Sequence, residues 1–338
     1  MEVTFAGAPT RSIRLDDASQ VGQARREAVA LAQDLALDEA SCGRVALVAT
    51  ELATNVLKHG RGGCVQLSPV AGRAGVGVGV ELCTLDNGPG FALVQCLRDG
   101  YSTSGTPGTG LGAIHRQAQL LDAYSDAKGA IVVARVFAQQ GADQDLAYGA
   151  LRVPIHNETV CGDAWHLEIR EARATVTVID GLGHGAGAAE AADAGTHAAA
   201  AATGEPGERV TRLHAAMSGT RGGAVAVAQF DSRSGQVRFA GVGNIAAALC
   251  DGDGVRGMPS HPGIVGVQFR KAQPFDFPQA TGKLLVMHSD GLQSRWNLRD
   301  HPGLLSRHPR IIAALLVRDH DRGRDDCSVF VMRLGGMS

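Results

Sequence analysis

Apolar residues recur at helical spacing in two early segments. From Gly22 to Leu37 charged residues alternate with Ala, Val and Leu; from Asp38 to Lys58 the positions Val45, Val48, Leu52 and Val56 form one stripe. Asp38 is suited to cap the first turn of the second helix, and Gly60 to end it after His59. Strand-like runs follow from Cys64 to Val70 and from Val76 to Leu85. A glycine-rich loop from Gly100 to Gly112 leads into a helix expected at about Leu111 to Leu121, and a strand from Ala130 to Phe137 closes the unit.

The polar, patternless stretch from Ala138 to Tyr148 reads as a linker. Beyond it strands are predicted at His166 to Ile169, Ala174 to Ile179, Gly223 to Phe230, Gln236 to Phe239, Ala246 to Leu249, Lys283 to Ser289 and Cys327 to Leu334. Helices are predicted at about Ala186 to Ala202, Glu208 to Met217 and Arg310 to Arg318. The two halves do not resemble each other and neither repeats internally. At 338 residues the chain has room for two domains of roughly 100–200 residues each, and the boundaries are drawn at 1–138 and 148–338.

Composition narrows the classes. Hydrophobic residues make up 44%, enough for buried cores, and 32 basic residues stand against 34 acidic ones. That balance carries no electrostatic footprint for nucleic acid or an anionic membrane. Seven cysteines, an odd number without CxxC spacing, argue against disulfides or a zinc site and for a reducing cytosol. The first residues lack a basic stretch followed by an apolar one, and no apolar run approaches the ~18 residues that span a bilayer. A soluble, cytoplasmic protein is expected. The abundance of Gly and Ala reads as a compositional habit.

Three motifs fall in order in the first half. In ELATNVLKHG, Glu51 and Asn55 are four apart and share a helix face. A carboxylate there can accept a proton from an attacking hydroxyl, and an amide oxygen suits magnesium; two solvated polar residues would look the same. In LDNGPGF, Asp86 ends a strand ahead of Gly88 and Gly90, either as an adenine acceptor beside close-approach backbone or as a simple turn. In YSTSGTPGTGLGAIHR, a glycine-rich loop opens a helix, an arrangement that suits phosphate. Together they resemble the GHKL ATPase superfamily, and within it the anti-sigma-factor serine kinases that phosphorylate STAS-domain anti-anti-sigma proteins. The resemblance covers about residues 10 to 137. It implies ATP with magnesium on Asn55, activation of a serine or threonine hydroxyl by Glu51, adenine reading by Asp86, and a pocket shaped by Gly88, Gly90, Gly108, Gly110 and Gly112.

The second half sets acidic residues at strand ends in CGD, IDGLGHG, HSDG and RDDC. Acidic clusters with no Cys or His pattern suit hard divalent cations, and two such ions can activate water for in-line attack on phosphorus. The runs CGDAW, VIDGLGHG, FAGVGN, GIVG, VMHSDGL and RGRDDCSVFV resemble the SpoIIE-like branch of the PPM metal-dependent Ser/Thr phosphatases, over about residues 148 to 335. The resemblance implies two manganese or magnesium ions. Asp180 would bridge them, Gly181 would offer its carbonyl, and Asp290 and Asp325 would complete the core. Asp163 would stand beside the metals, and Asp326 is a neighbour whose register against Asp325 is open by one. His184 is either a proton donor or a loop-shaping residue. Asn244, after Gly243, either is structural, the favoured reading, or lines the site, and Trp165 and Trp296 are read as packing.

The fold class expected is α+β: a GHKL α/β sandwich, with helices on one face of a mixed sheet, followed by a PPM β-sandwich flanked by helices. The function expected is a two-headed enzyme, kinase and phosphatase, setting the phosphorylation state of a STAS-domain anti-anti-sigma or stressosome-type protein. Two alternatives stand beside it: a phosphatase whose N-terminal half is a nucleotide sensor or docking module, and an anti-sigma protein that binds a sigma factor. No nucleic acid or membrane partner is expected, and nothing marks an oligomer face.

Overall fold

The computed structural model describes residues 2–73, 77–91, 110–138, 145–155 and 158–335. The chain forms two compact units. The N-unit comprises Thr10–Leu146 with Ser306–Ala314; the C-unit comprises Met1–Pro9, Ala147–Leu305 and Leu315–Ser338. The change of unit at Leu146 lies within the stretch expected to be a linker, but two short segments depart from a contiguous division at 1–138 and 148–338. The first strand pairs in the C-unit, and a segment after residue 305 packs in the N-unit.

In the N-unit, strands β2 (Arg11–Leu15), β3 (Gly63–Ala71), β4 (Val78–Asp86), β5 (Leu120–Asp126) and β6 (Gly129–Phe137) form a sheet in the order β2-β3-β4-β6-β5. Every described pairing is antiparallel, so the expected mixed sheet is corrected to an antiparallel one. The reason is connectivity: β3 with β4, and β5 with β6, are chain neighbours and fold back on each other. The helix expected to reach Leu121 stops earlier, because Leu120–Asp126 is drawn into the sheet as β5 beside β6.

Helices α1 (Ala18–Asp34), α2 (Glu39–His59) and α3 (Gly110–Gln117) accompany this sheet. The stripe predicted on α2, Val45, Val48, Leu52 and Val56, is buried with Leu15, Leu67, Leu82 and Ile114 in one core. Asp38 caps α2 by accepting from Ser41 N at 2.7 Å, and Gly60 ends it.

The N-unit also buries a charge cluster. Glu81 on β4 accepts from Arg135 on β6 (Nη2–Oε2 2.6 Å) and from Arg310 (Nε–Oε1 2.5 Å). Arg310 opens α6 (Pro309–His320) and donates a further bond to Gln66 on β3 at 2.7 Å. Both guanidiniums are fully buried. Asp145 joins by bonding Arg135 and His308, and Asp122 accepts from His308 N at 2.8 Å.

The C-unit contains two antiparallel sheets. One runs β1 (Glu2–Ala6), β8 (Asp163–Arg170), β9 (Arg173–Gly181), β10 (Gly223–Asp231), β11 (Gln236–Val242), β14 (Phe275–Phe277). The other runs β13 (Val255–Met258), β12 (Ala246–Cys250), β15 (Leu284–His288), β16 (Cys327–Arg333), β7 (Tyr148–Val153). Aromatic rings from both sheets meet: Trp165 lies 5.3 Å from Phe330 and 5.8 Å from Phe5 and Tyr148, which makes Trp165 a packing residue. Helices α4 (Ala186–Ala201) and α5 (Pro206–Ala216) pack on the first sheet.

Here the Ala and Gly richness has a local use. Ala188, Ala191, Ala192, Gly195 and Ala199 are the buried face of α4, and a β-carbon on Gly195 would stand 2.8 Å from Ile179. Small side chains bring this helix close to the sheet.

Deleting one partner of the Glu81 cluster leaves buried charge uncompensated, which costs about 3–5 kcal/mol. Glu81→Ala in the full chain is expected to lower the stability of the N-unit by that amount, read from the urea midpoint. A loss below about 1 kcal/mol would show that the arginines find other partners.

Candidate functional site

Antiparallel pairing gathers the acidic motifs in two groups, one on each sheet of the C-unit. Asp163 begins β8, Asp180 lies near the end of β9, and the two are direct cross-strand partners. Asp290 follows β15, and Asp325 and Asp326 precede β16, which pairs with β15. Adjacent strands of opposite direction bring one strand's end and the next strand's start to the same edge of a sheet.

The carboxylates differ in environment. Asp163 is buried, and burial pushes its carboxyl up to about 7; the Ser289 hydroxyl bonds it and opposes the shift, while Asp326 adds repulsion. Burial likewise pushes Asp180 up to about 8, reinforced by the charges of Asp163, Asp290 and Asp325. Asp325 is raised by partial burial and by its neighbours Asp290 and Asp326. Asp163 Oδ2 and Asp180 Oδ2 are buried with no hydrogen-bond partner among the described residues. Orphaned oxygens on carboxylates that repel one another fit a divalent cation, which would supply both the missing partner and the missing charge.

Gly181 follows in the same strand. A β-carbon there would lie 2.3 Å from Ala188 O, so only glycine lets this strand end pass under α4.

Asp325 and Asp326 part company. Asp326 is buried, and its two oxygens accept from Ile155 N at 2.7 Å and Gly162 N at 2.6 Å. Those amides occupy the carboxylate that the sequence reading placed beside the metals; Asp326 instead ties the loop before β8 to the start of β16. Asp325 lines an open cleft with Asp290.

Asn244 is corrected in the other direction. Read as structural, it donates from Nδ2 to Asp290 Oδ2 at 2.7 Å and so orients a site carboxylate. Its position after Gly243 in the FAGVGN run was the available signal. Ser289 was missed, because a lone serine before an Asp-Gly pair carries no spacing signal. His184 bonds Glu158 through Nδ1 at 3.2 Å. Trp296 donates to His288 Nε2 at 3.1 Å, whose Nδ1 in turn donates to Ser289 O, so this ring is neutral and braces the Asp290 loop.

In the N-unit, Glu51 and Asn55 lie half-buried on α2. A β-carbon on Gly110, the first residue of α3, would stand 3.0 Å from Glu51 Oε2 and 3.6 Å from Asn55 Oδ1. The helix that follows the glycine loop therefore starts against this pair. Asp86 Oδ1 accepts from Gly88 N at 2.8 Å and Ala130 N at 3.1 Å, holding the loop to β6. Gly88 comes so near the end of α2 that a β-carbon would sit 2.5 Å from His59 O. Gly90 lies in the same loop beside Ser125, and Gly112 is buried on α3. Gly108, with residues 92–109 of the loop, lies outside the described residues.

The family comparisons agree with this division. The model of the histidine kinase-like ATPase domain matches residues 14–136, and that of stage II sporulation protein E (SpoIIE) matches residues 170–335. Each half of the chain is thus similar to a known domain family, the first to the histidine kinase-like ATPase domain and the second to SpoIIE. Among solved structures it is similar to a chain from "The bacterial stressosome: a modular system that has been adapted to control secondary messenger signaling", with 27% identity and TM-score 0.51, covering 55% of this chain and 98% of that one. RsbX in complex with magnesium is 20% identical with TM-score 0.47, covering 54% and 92%. The PP2C phosphatase domain and a regulatory fragment of SpoIIE from Bacillus subtilis is 18% identical with TM-score 0.47, covering 76% and 79%. No curated protein sequence matches the chain. No described helix is long and apolar enough to cross a membrane.

The raised carboxyls set a pH test. A carboxyl whose folded pKa exceeds its unfolded value favours the fold while protonated, and that contribution is lost as pH rises through about 7 for Asp163 and about 8 for Asp180. With chelator present, the melting temperature of the C-unit is expected to fall between about pH 6 and pH 8.5. Manganese is expected to restore it, with a larger gain at the higher pH, because the ion competes with protons for the same oxygens. Equal gains at both pH values would argue against these carboxylates as its ligands.

Proposed function

We propose that the chain sets the phosphorylation state of a STAS-domain protein, with the C-unit as a metal-dependent phosphoserine/phosphothreonine phosphatase and the N-unit as an ATP-dependent serine kinase. The observation that carries the first half is the Asp163–Asp180 pair, whose buried Oδ2 atoms have no partner among the described residues, beside Asp290 and Asp325. When bound, two manganese or magnesium ions supply an activated water and neutralise charge for in-line hydrolysis. Asp180 is central because it feels all three other carboxylates. Asp163, Asp290, Asp325 and the Gly181 carbonyl complete the ligand set. Asn244 keeps Asp290 in place, and His184, steadied by Glu158, protonates the departing serine oxygen.

In the N-unit, Asn55 holds magnesium with ATP and Glu51 accepts the proton of the incoming hydroxyl. Asp86, whose Oδ2 has no partner among the described residues, reads the adenine amino group. Gly88, Gly90, Gly108, Gly110 and Gly112 shape the nucleotide pocket. Similarity to a stressosome-system structure supports a stressosome-type substrate, and we take that substrate to be a cytoplasmic STAS-domain protein.

With manganese, the full chain is expected to hydrolyse a phosphoserine STAS protein. Asp180→Asn and Asp290→Asn should each lower kcat by at least ~10²-fold, the loss of several kcal/mol of charge stabilisation. Manganese-dependent activity surviving in both variants would exclude this site.

For the kinase, transfer of labelled phosphate from ATP to the unphosphorylated STAS protein is the readout. Glu51→Ala should reduce it by about 10²–10⁴-fold while nucleotide binding persists. Undiminished transfer would remove Glu51 from the chemistry.

A further inference from the structure

The carboxylate cleft has a basic wall. Its volume is about 400 Å³, enough for a phosphorylated side chain, and its lining includes Asp290, Asp325, Arg322 and Arg324. A cleft lined only by carboxylates would repel a dianionic phosphoryl group. Two guanidiniums beside them supply opposite charge and the planar donor pairs that match phosphoryl oxygens.

The two arginines are also uncommitted. Neither guanidinium makes a salt bridge among the described residues, not even to the aspartates that share the cleft. Some exposed arginines of the C-unit are engaged, Arg238 with Glu205 and Asp276 and Arg173 with Asp231, but none of those lines this cleft. Neutralising the carboxylates would need contacts that Arg322 and Arg324 do not make.

Their backbone, by contrast, is fixed. Arg322 N donates to Gly291 O at 2.9 Å, one residue beyond Asp290, and Gln293 N donates to His320 O at 2.9 Å. Asp321 Oδ1 accepts from Gly323 N at 2.9 Å, and Gly323, at φ +62°, turns the chain between the two arginines. The loop that carries the arginines is thus stapled to the loop that carries Asp290. The side chains are free and the base is rigid, the condition for a preorganised anion grip.

We propose that Arg322 and Arg324 are positioning residues that hold the phosphoryl oxygens of a phosphoserine or phosphothreonine protein substrate, an inference that rests on the phosphatase reading of the cleft. The grip acts on binding more than on bond breaking, so it should appear in KM and in affinity for inorganic phosphate.

The test uses the full chain with manganese. It compares wild type, Arg322→Ala/Arg324→Ala, the double Lys variant, and Arg233→Ala as a distant control. Steady-state hydrolysis of a phosphoserine peptide is measured beside calorimetric titration with inorganic phosphate. The double Ala variant is expected to raise KM and the phosphate Kd at least ~10-fold with kcat within about threefold, as loss of charge-assisted contacts requires. The Lys variant should recover part of both, and the control should match wild type. KM and phosphate Kd of the double Ala variant within about twofold of wild type would overturn the proposal. Absence of hydrolysis by the wild type would sink the phosphatase reading instead. The phosphate titration would then still decide: weaker binding in the double Ala variant supports the grip, while equal binding, or none by wild type, overturns it.

Discussion

The C-unit is organised around a conflict between burial and charge. Antiparallel pairing carries Asp163, Asp180, Asp290 and Asp325 to neighbouring strand ends, where burial and mutual repulsion push Asp163 and Asp180 up to about 7 and about 8. A fold meets such a conflict by protonating the acids or by binding a cation. The surroundings suit the second, as the proposed metal site requires. Ser289 and Asn244 each donate to one carboxylate, while Asp163 Oδ2 and Asp180 Oδ2 have no donor among the described residues. The bracing around them is extensive, from the His288–Trp296 contact behind the Asp290 loop to the amides that hold Asp326.

The N-unit resolves its buried charge differently. Glu81 lies between Arg135 and Arg310 and is ionised, because two guanidiniums outweigh the cost of its burial. Such a cluster adds little net stability, since desolvation consumes much of the attraction, but it is costly to break. It therefore specifies which segment packs on the sheet. That segment, Ser306–Ala314, lies far along the chain from Thr10–Leu146, so the unit is not one continuous stretch.

The motif residues of the two units lie at similar structural positions. In each, motif residues sit where a regular element ends: Asp86 at the close of β4, Gly110 at the start of α3, Asp163 at the start of β8, and Asp180 near the close of β9. The elements supply rigidity, and their ends supply polar groups not spent on the ladder or the helix.

Periodicity and motif order determined much by themselves. The α2 stripe, the Asp38 cap, the main strands of the C-unit and the division into two kinds of unit follow from local spacing, because each is governed by contacts between residues near in sequence. Local spacing did not decide what depended on distant partners. Leu120 and Leu121 read as the tail of a helix until β6 claims Leu120–Asp126, and the five residues Glu2–Ala6 become a strand only by pairing with β8. Asp325 and Asp326 are equivalent as letters. Only the amides of Ile155 and Gly162, more than 160 residues away in the chain (|i−j| of 171 and 164), separate the acid that holds the fold from the acid that faces the cleft. Asn244 and the unpaired pair Arg322 and Arg324 were likewise decided by tertiary structure, because a hydrogen bond to Asp290 and a place in a cleft are properties of position in space.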